Sequence, residues 1–156
     1  MSHIQHISKH LKELFFGGNW PGVNVKDCIM SITLQQANHK IEGFNTIAVL
    51  MFHINYYVEG ILPVFDGGDL EIRDKYSFDA PEFTSEKQWE EYKTKVLKNA
   101  DVLADKINQF DDTIINQSFV EEKYGTYYRN LNGTIEHTYY HLGQIVILKK
   151  LIEKNL

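Results

Sequence analysis

Cysteine is almost missing from this chain: Cys28 stands alone among 156 residues. A single thiol excludes an internal disulfide and any Cys-x-x-Cys site, and it suits a reducing compartment. Clusters of Lys and Arg are missing too, and 16 basic against 21 acidic side chains leave a net charge of −5. That balance argues against a nucleic-acid-binding surface. The first apolar residues are interleaved with His, Lys and Glu, so no signal peptide is expected. No uninterrupted apolar run approaches the roughly 20 residues of a membrane span. Neither a Gly-rich phosphate loop, a GxSxG elbow, a paired-carboxylate arrangement nor an internal repeat stands out. Hydrophobic residues at 43% and charged ones at 24% exclude wholesale disorder. The expectation is a single cytoplasmic domain over residues 1–156 that acts neither on nucleic acid nor on membrane.

Strand-like alternation is also missing, and helical periodicity takes its place. Ile4, Ile7, Leu11, Leu14 and Phe15 recur at helical steps until Gly17 and Gly18. Val25 to Lys40 reads as one or two short helical turns, with Thr33 starting the second. Asn45 is the expected N-cap of the next helix and Pro63 its stop near Leu62. Between them, apolar groups on nearly every side predict a helix buried all round, interrupted by His53, Asn55 and Glu59. Residues 66 to 84 form a long polar connection of the kind that is often a functional or crossover segment. Ser85 and Gln88 make a capping-box pattern. The helix they open carries Trp89, Tyr92, Val96, Ala100, Leu103, Ile107 and Phe110 on one stripe, with charges opposite. After a short irregular stretch around Phe119, a last helix from about Tyr127 to Glu153 turns Leu131, Ile135, Thr138, Leu142, Ile145, Leu148 and Ile152 inward. Four main helices with one long crossover predict an all-α four-helix bundle.

What the chain has in quantity is seven histidines and nine tyrosines. Two His-x-x-x-His pairs occur, His6/His10 and His137/His141, and that spacing puts both imidazoles of a pair on one helix face. His3, His6 and His10 sit beside the apolar stripe of a terminal helix, where a solvated helix edge is the ordinary reading. His137 and His141 flank the inward stripe of the last helix, and His53 lies in the most apolar segment. Buried imidazoles need partners for their nitrogens. A hydrogen bond to a neighbouring tyrosine explains one such residue. Coordination to a divalent cation explains three, and leaves a position open for water or substrate. Tyr56, Tyr57, Tyr139, Tyr140, Glu136, Asn55 and Gln144 are the candidates to support the ligands. His39 reads as a surface residue and Cys28 as a small buried hydrophobe.

Three stretches carry a family resemblance. Asn45-Thr-Ile-Ala-Val-Leu-Met-Phe-His53-Ile-Asn-Tyr-Tyr57 looks like the second helix of the DinB-like superfamily, with its ligand histidine. Ser77-Phe-Asp-Ala-Pro81 followed by Ser85-Glu-Lys-Gln-Trp89 is similar to that family's crossover and third-helix start. Glu136-His-Thr-Tyr-Tyr-His141-Leu-Gly-Gln144 resembles its His-x-x-x-His-x-Gly-Gln signature. The resemblance implies a DinB-like, YfiT-like four-helix bundle in which His53, His137 and His141 hold Zn²⁺ or Ni²⁺, and it suggests a homodimer. Relatives conjugate low-molecular-weight thiols such as bacillithiol or mycothiol, isomerise a thiol adduct, or hydrolyse small compounds. The leading expectation is accordingly a metal-dependent enzyme, a thiol S-transferase or hydrolase, acting on a small molecule. Two rivals stand beside it. One is a non-catalytic metal- or ligand-binding stress protein, and the other a plain dimeric bundle whose histidines are hydrogen-bonded core groups.

Overall fold

The computed structural model describes residues 1–155. Six α-helices account for most of them: α1 His3–Phe16, α2 Val25–Met30, α3 Leu34–Asn38, α4 Ile47–Gly60, α5 Glu86–Asn108 and α6 Tyr127–Asn155. No β-strand occurs among the described residues; one isolated antiparallel bridge pairs Ser118 with Thr126. The fold is all-α. Of the four long helices, α1 packs on α5 and α6, and α4 packs on the same two. The short α2 and α3 close the ends, α2 against α1 and α3 against α4.

Helix α1 buries the expected stripe of Ile4, Ile7, Leu11, Leu14 and Phe15. Its N-terminus is completed in a way the periodicity does not disclose. Ser2 and Gln5 form a capping box, and the Asp112 carboxylate accepts the N–H groups of His3 and Ile4. The first-turn donors that every helix leaves open thus all find acceptors. Those hydrogen bonds hold the Asp112 carboxyl below its ordinary range. Gly17 ends the helix at φ 106°, a conformation other residues rarely adopt.

The N-cap of α4 is Thr46 rather than Asn45, its hydroxyl accepting the Val49 N–H. The helix ends at Gly60, and Pro63 sits inside a following 3₁₀ turn, Leu62–Asp66. Proline has no N–H to continue the α ladder, so the chain tightens before it reaches that residue. No residue of 47–60 is exposed, as the all-round apolar pattern predicts. Ile47–Asp66 is long and apolar enough to cross a membrane by length and composition, with mean hydropathy 1.4. In this fold 56% of that window is buried against the other helices.

Helix α5 departs from its predicted pattern at two points. Ser85 caps it through the Gln88 N–H, but the Gln88 carbonyl oxygen reaches back to Thr84 instead of Ser85. Lys93, four residues after Trp89 and three before Val96, puts a charge on the inward stripe and is only 1% exposed. Its ammonium donates to the carbonyls of Met30 and Ile32 just past α2, and it pairs with Glu90 at 2.7 Å. The Trp89 indole N–H donates to the same Ile32 carbonyl. Lys93 and Trp89 therefore cap α2 from a neighbouring helix, and the charge is buried because it is partnered.

Replacing Lys93 with methionine keeps the stem and removes the donors. Loss of bonds to buried carbonyls is expected to cost about 1–3 kcal/mol in urea unfolding. Glu90→Gln, on a half-exposed partner, should cost less.

Candidate metal centre

Helix α4 directs His53 and helix α6 directs His137 and His141 into one volume between them. His53 and His141 are buried and His137 is half-buried. One ligand-capable nitrogen from each lies within 4.8 Å of the other two, and among the described residues this is the group of His, Cys, Asp and Glu side chains close enough to hold a metal ion. The ring centroids are 4.5–4.7 Å apart, so the rings meet pairwise.

Hydrogen bonds to the opposite side of two rings fix how their nitrogens are used. His53 Nδ1 donates to the Ser77 carbonyl at 3.0 Å, and His141 Nδ1 donates to the Gln144 side-chain oxygen at 2.7 Å. A proton on Nδ1 of a neutral imidazole leaves Nε2 as a lone pair. The His137 and His53 Nε2 atoms are 2.9 Å apart. Two nitrogens bound tetrahedrally to one zinc stand about 3.3 Å apart, from Zn–N bonds of 2.0–2.1 Å. A shift of a few tenths of an ångström separates the observed contact from that arrangement. The donor chemistry fits a divalent ion: three imidazoles with a nitrogen each within 4.8 Å, two of them held by a carbonyl or amide on the far side. His137 Nδ1 is buried with no hydrogen-bond partner.

Burial favours the neutral form of two of these rings, His137 and His53. It pushes His137 down to about 4, helped by repulsion from His141 and His53. Burial also lowers His53, against the opposing pull of the Ser77 carbonyl. Neutral imidazole is the form a metal requires.

The crossover covers the cluster. Phe78 lies flat on His53, with centroids 3.8 Å apart and planes 12° from parallel. Tyr57 stands edge-on to both His53 and His137, and its hydroxyl donates to Asp74. Of the supporting residues expected from sequence, Gln144 bonds a ligand candidate, and Tyr57 and Tyr140 pack on the rings. Four others do not take the expected place. Glu136 is exposed, Tyr56 bonds the backbone of Arg73, Tyr139 accepts from Asn19, and Asn55 bonds Glu59 and Asn99. The Ser77 carbonyl escapes a reading of side chains because it is backbone, and the residue is 2% exposed. Phe78 carries no signal beyond its place in the Ser77–Pro81 stretch.

His3, His6 and His10 are exposed and lie outside the cluster, as a solvated helix edge would. His39 is half-buried rather than fully at the surface. Cys28 is buried, and desolvation pushes its thiol up, the behaviour of a packed hydrophobe. A cavity of about 360 Å³ adjoins His137.

The structure thus defines an all-α protein with a buried three-histidine cluster. No family model, no curated protein and no solved structure matches the chain.

Protonating His137 is unfavourable in the native state, so the unfolded chain binds more protons between the ordinary value of 6.5 and about 4. Chelator-treated protein should lose stability as the pH falls through that window, with no contribution from this ring above it. His137→Gln should flatten that part of a Tm-against-pH profile.

Proposed function

We propose that His53, His137 and His141 together hold one divalent cation, Zn²⁺ or Ni²⁺, in a four-helix bundle of the DinB-like type. On this reading the chain is an enzyme acting on a small molecule, a thiol S-transferase or a hydrolase. The observation that carries the reading is the convergence of three imidazoles, two of them locked through Nδ1, beside a cavity large enough for a ligand. An ion bound there would act as a Lewis acid and lower the pKa of a thiol or water at its remaining position.

The protein's own groups have separable parts in that chemistry. The Ser77 carbonyl and Gln144 hold two rings in the tautomer that offers Nε2. Phe78 shields one face of His53 from water. The Tyr57 hydroxyl, donating to Asp74 next to His137, is placed to orient a polar group of a ligand. The resemblance carried by His137-x-x-x-His141-x-Gly143-Gln144 supports thiol chemistry over other metal-assisted reactions.

His137→Ala should abolish stoichiometric uptake of zinc or nickel by dialysed protein, and retention of one ion per chain overturns the site. Gln144→Leu should bind the ion roughly 10–100-fold more weakly in chelator competition while the fold survives. Metal-loaded protein should consume a low-molecular-weight thiol in the presence of an electrophile. If chelation lowers Tm and no thiol is lost with any electrophile, the non-catalytic metal-binding reading replaces the enzyme.

A further inference from the structure

The cavity beside His137 has a composition of its own. Ile61, Leu70, Ile72 and Phe119 give it apolar walls. At one end Asp74 is engaged by Tyr57, which packs on His137. Arg129 is its only Lys or Arg side chain. Only the backbone N–H of Arg129 has a partner outside the helix ladder, and its guanidinium makes no ion pair or hydrogen bond with any described residue. Arg129 is exposed, so in a chain of net charge −5 its guanidinium stands in water on the cavity wall with no anion of the described residues beside it.

Helix geometry links the two ends. Arg129, Gly133 and His137 follow one another at four-residue steps on α6, and all three line the cavity. Eight residues of helix separate the Cα atoms of Arg129 and His137 by about 12 Å. Gly133 lies midway, and a Cβ built there meets nothing within 4 Å. Its φ is helical, so neither backbone conformation nor close packing calls for glycine. Glycine is a poor helix former, and at this position its effect is to leave the floor between guanidinium and imidazole clear.

We propose that this cavity takes a short organic acid, its carboxylate on Arg129, its apolar chain over Gly133 against Ile72 and Phe119, and its far end at His137. The guanidinium's planar array of donors matches a carboxylate, and the apolar walls match a methylene chain. The placement of the far end rests on the metal reading above; the carboxylate on Arg129 does not.

The test uses three probes in calorimetric titrations: 6-mercaptohexanoate, 6-mercaptohexan-1-ol and hexanoate, each with zinc-loaded and chelator-treated protein. The zinc-loaded protein should bind 6-mercaptohexanoate about threefold tighter than the alcohol, the effect of one water-screened charge-assisted contact. Arg129→Gln should erase that difference without changing zinc stoichiometry or binding of the alcohol. Gly133→Leu should block both thiols while leaving helicity by circular dichroism and Tm undiminished. Equal binding of acid and alcohol by the unaltered protein overturns the proposal, as does an Arg129→Gln variant that binds the acid as before. Hexanoate binding that depends on Arg129 in chelator-treated protein upholds the carboxylate site even where His137→Ala has disproved the metal site.

Discussion

Three imidazoles withdrawn from water into the space between α4 and α6 set a demand that the surrounding structure is arranged to meet. Each ring carries two polar nitrogens, and a buried polar atom without a partner is costly. Ser77 and Gln144 satisfy one nitrogen on each of two rings from outside the cluster. Of the remaining nitrogens, those of His53 and His137 meet Nε2 to Nε2 at 2.9 Å, while His137 Nδ1 is buried without a hydrogen-bond partner. A proton shared between two imidazoles would satisfy that pair in the absence of an ion. It would do nothing to explain why a third ring, His141, is brought within the same few ångströms with its Nδ1 already tied back. The cation proposed above would account for all three rings at once.

The helices alone do not make this environment. The connection between α4 and α5 supplies the Ser77 carbonyl, the Phe78 ring and Asp74, and it is tied to α4 at several points. Tyr56 uses its hydroxyl both to donate to the Arg73 carbonyl and to accept the Arg73 N–H. The Ser77 hydroxyl donates to the Asp74 carbonyl. Gly60 gives way to Ile72, which lies where any Cβ on residue 60 would have to be. Beyond α5, the stretch before α6 is held under strain: Val120 has φ 63°, and the Glu121 N–H closes a tight turn onto the Phe119 carbonyl at 2.7 Å. A β-branched residue in that region is costly, and the turn it makes begins at Phe119. The Phe119 side chain is a wall of the cavity.

The parts of this design that depend on periodicity were open to inspection in the sequence. The inward residues of α1 and α6, the all-round burial of α4 and the pairing of His137 with His141 follow from 3.6 residues per turn. That His53 joins them depends on how α4 and α6 pack, which no single helix encodes, although three buried imidazoles sharing one partner was the economical expectation. Features made by atoms distant in sequence lay outside that logic. Lys93 falls on the inward stripe, but what partners its charge is hidden until the carbonyls at the end of α2 are placed against it. Asp112 looks like loop polarity until the first turn of α1 arrives at it. Glu136 reads as a natural support for its neighbour His137, yet one residue along a helix turns a side chain by about 100° and leaves Glu136 in solvent.

That same rotation explains how one helix serves both the interior and the surface of the cavity. A four-residue step exceeds one turn by about 40°, so a row of residues at that spacing winds slowly around its helix. Along α6 the row runs Arg129, Gly133, His137, His141, and its members pass from exposed through half-buried to buried. A seven-residue repeat drifts by only about 20° per step and would have kept its members nearer one depth. The drift instead carries the row from a guanidinium in solvent, across a position with no side chain, to two imidazoles in the interior. A ligand following the row would be desolvated progressively, leaving its charge where water still screens it and bringing its apolar part to Phe119 and Ile72. Access to the histidines and selection of what reaches them would then be the work of one helical row.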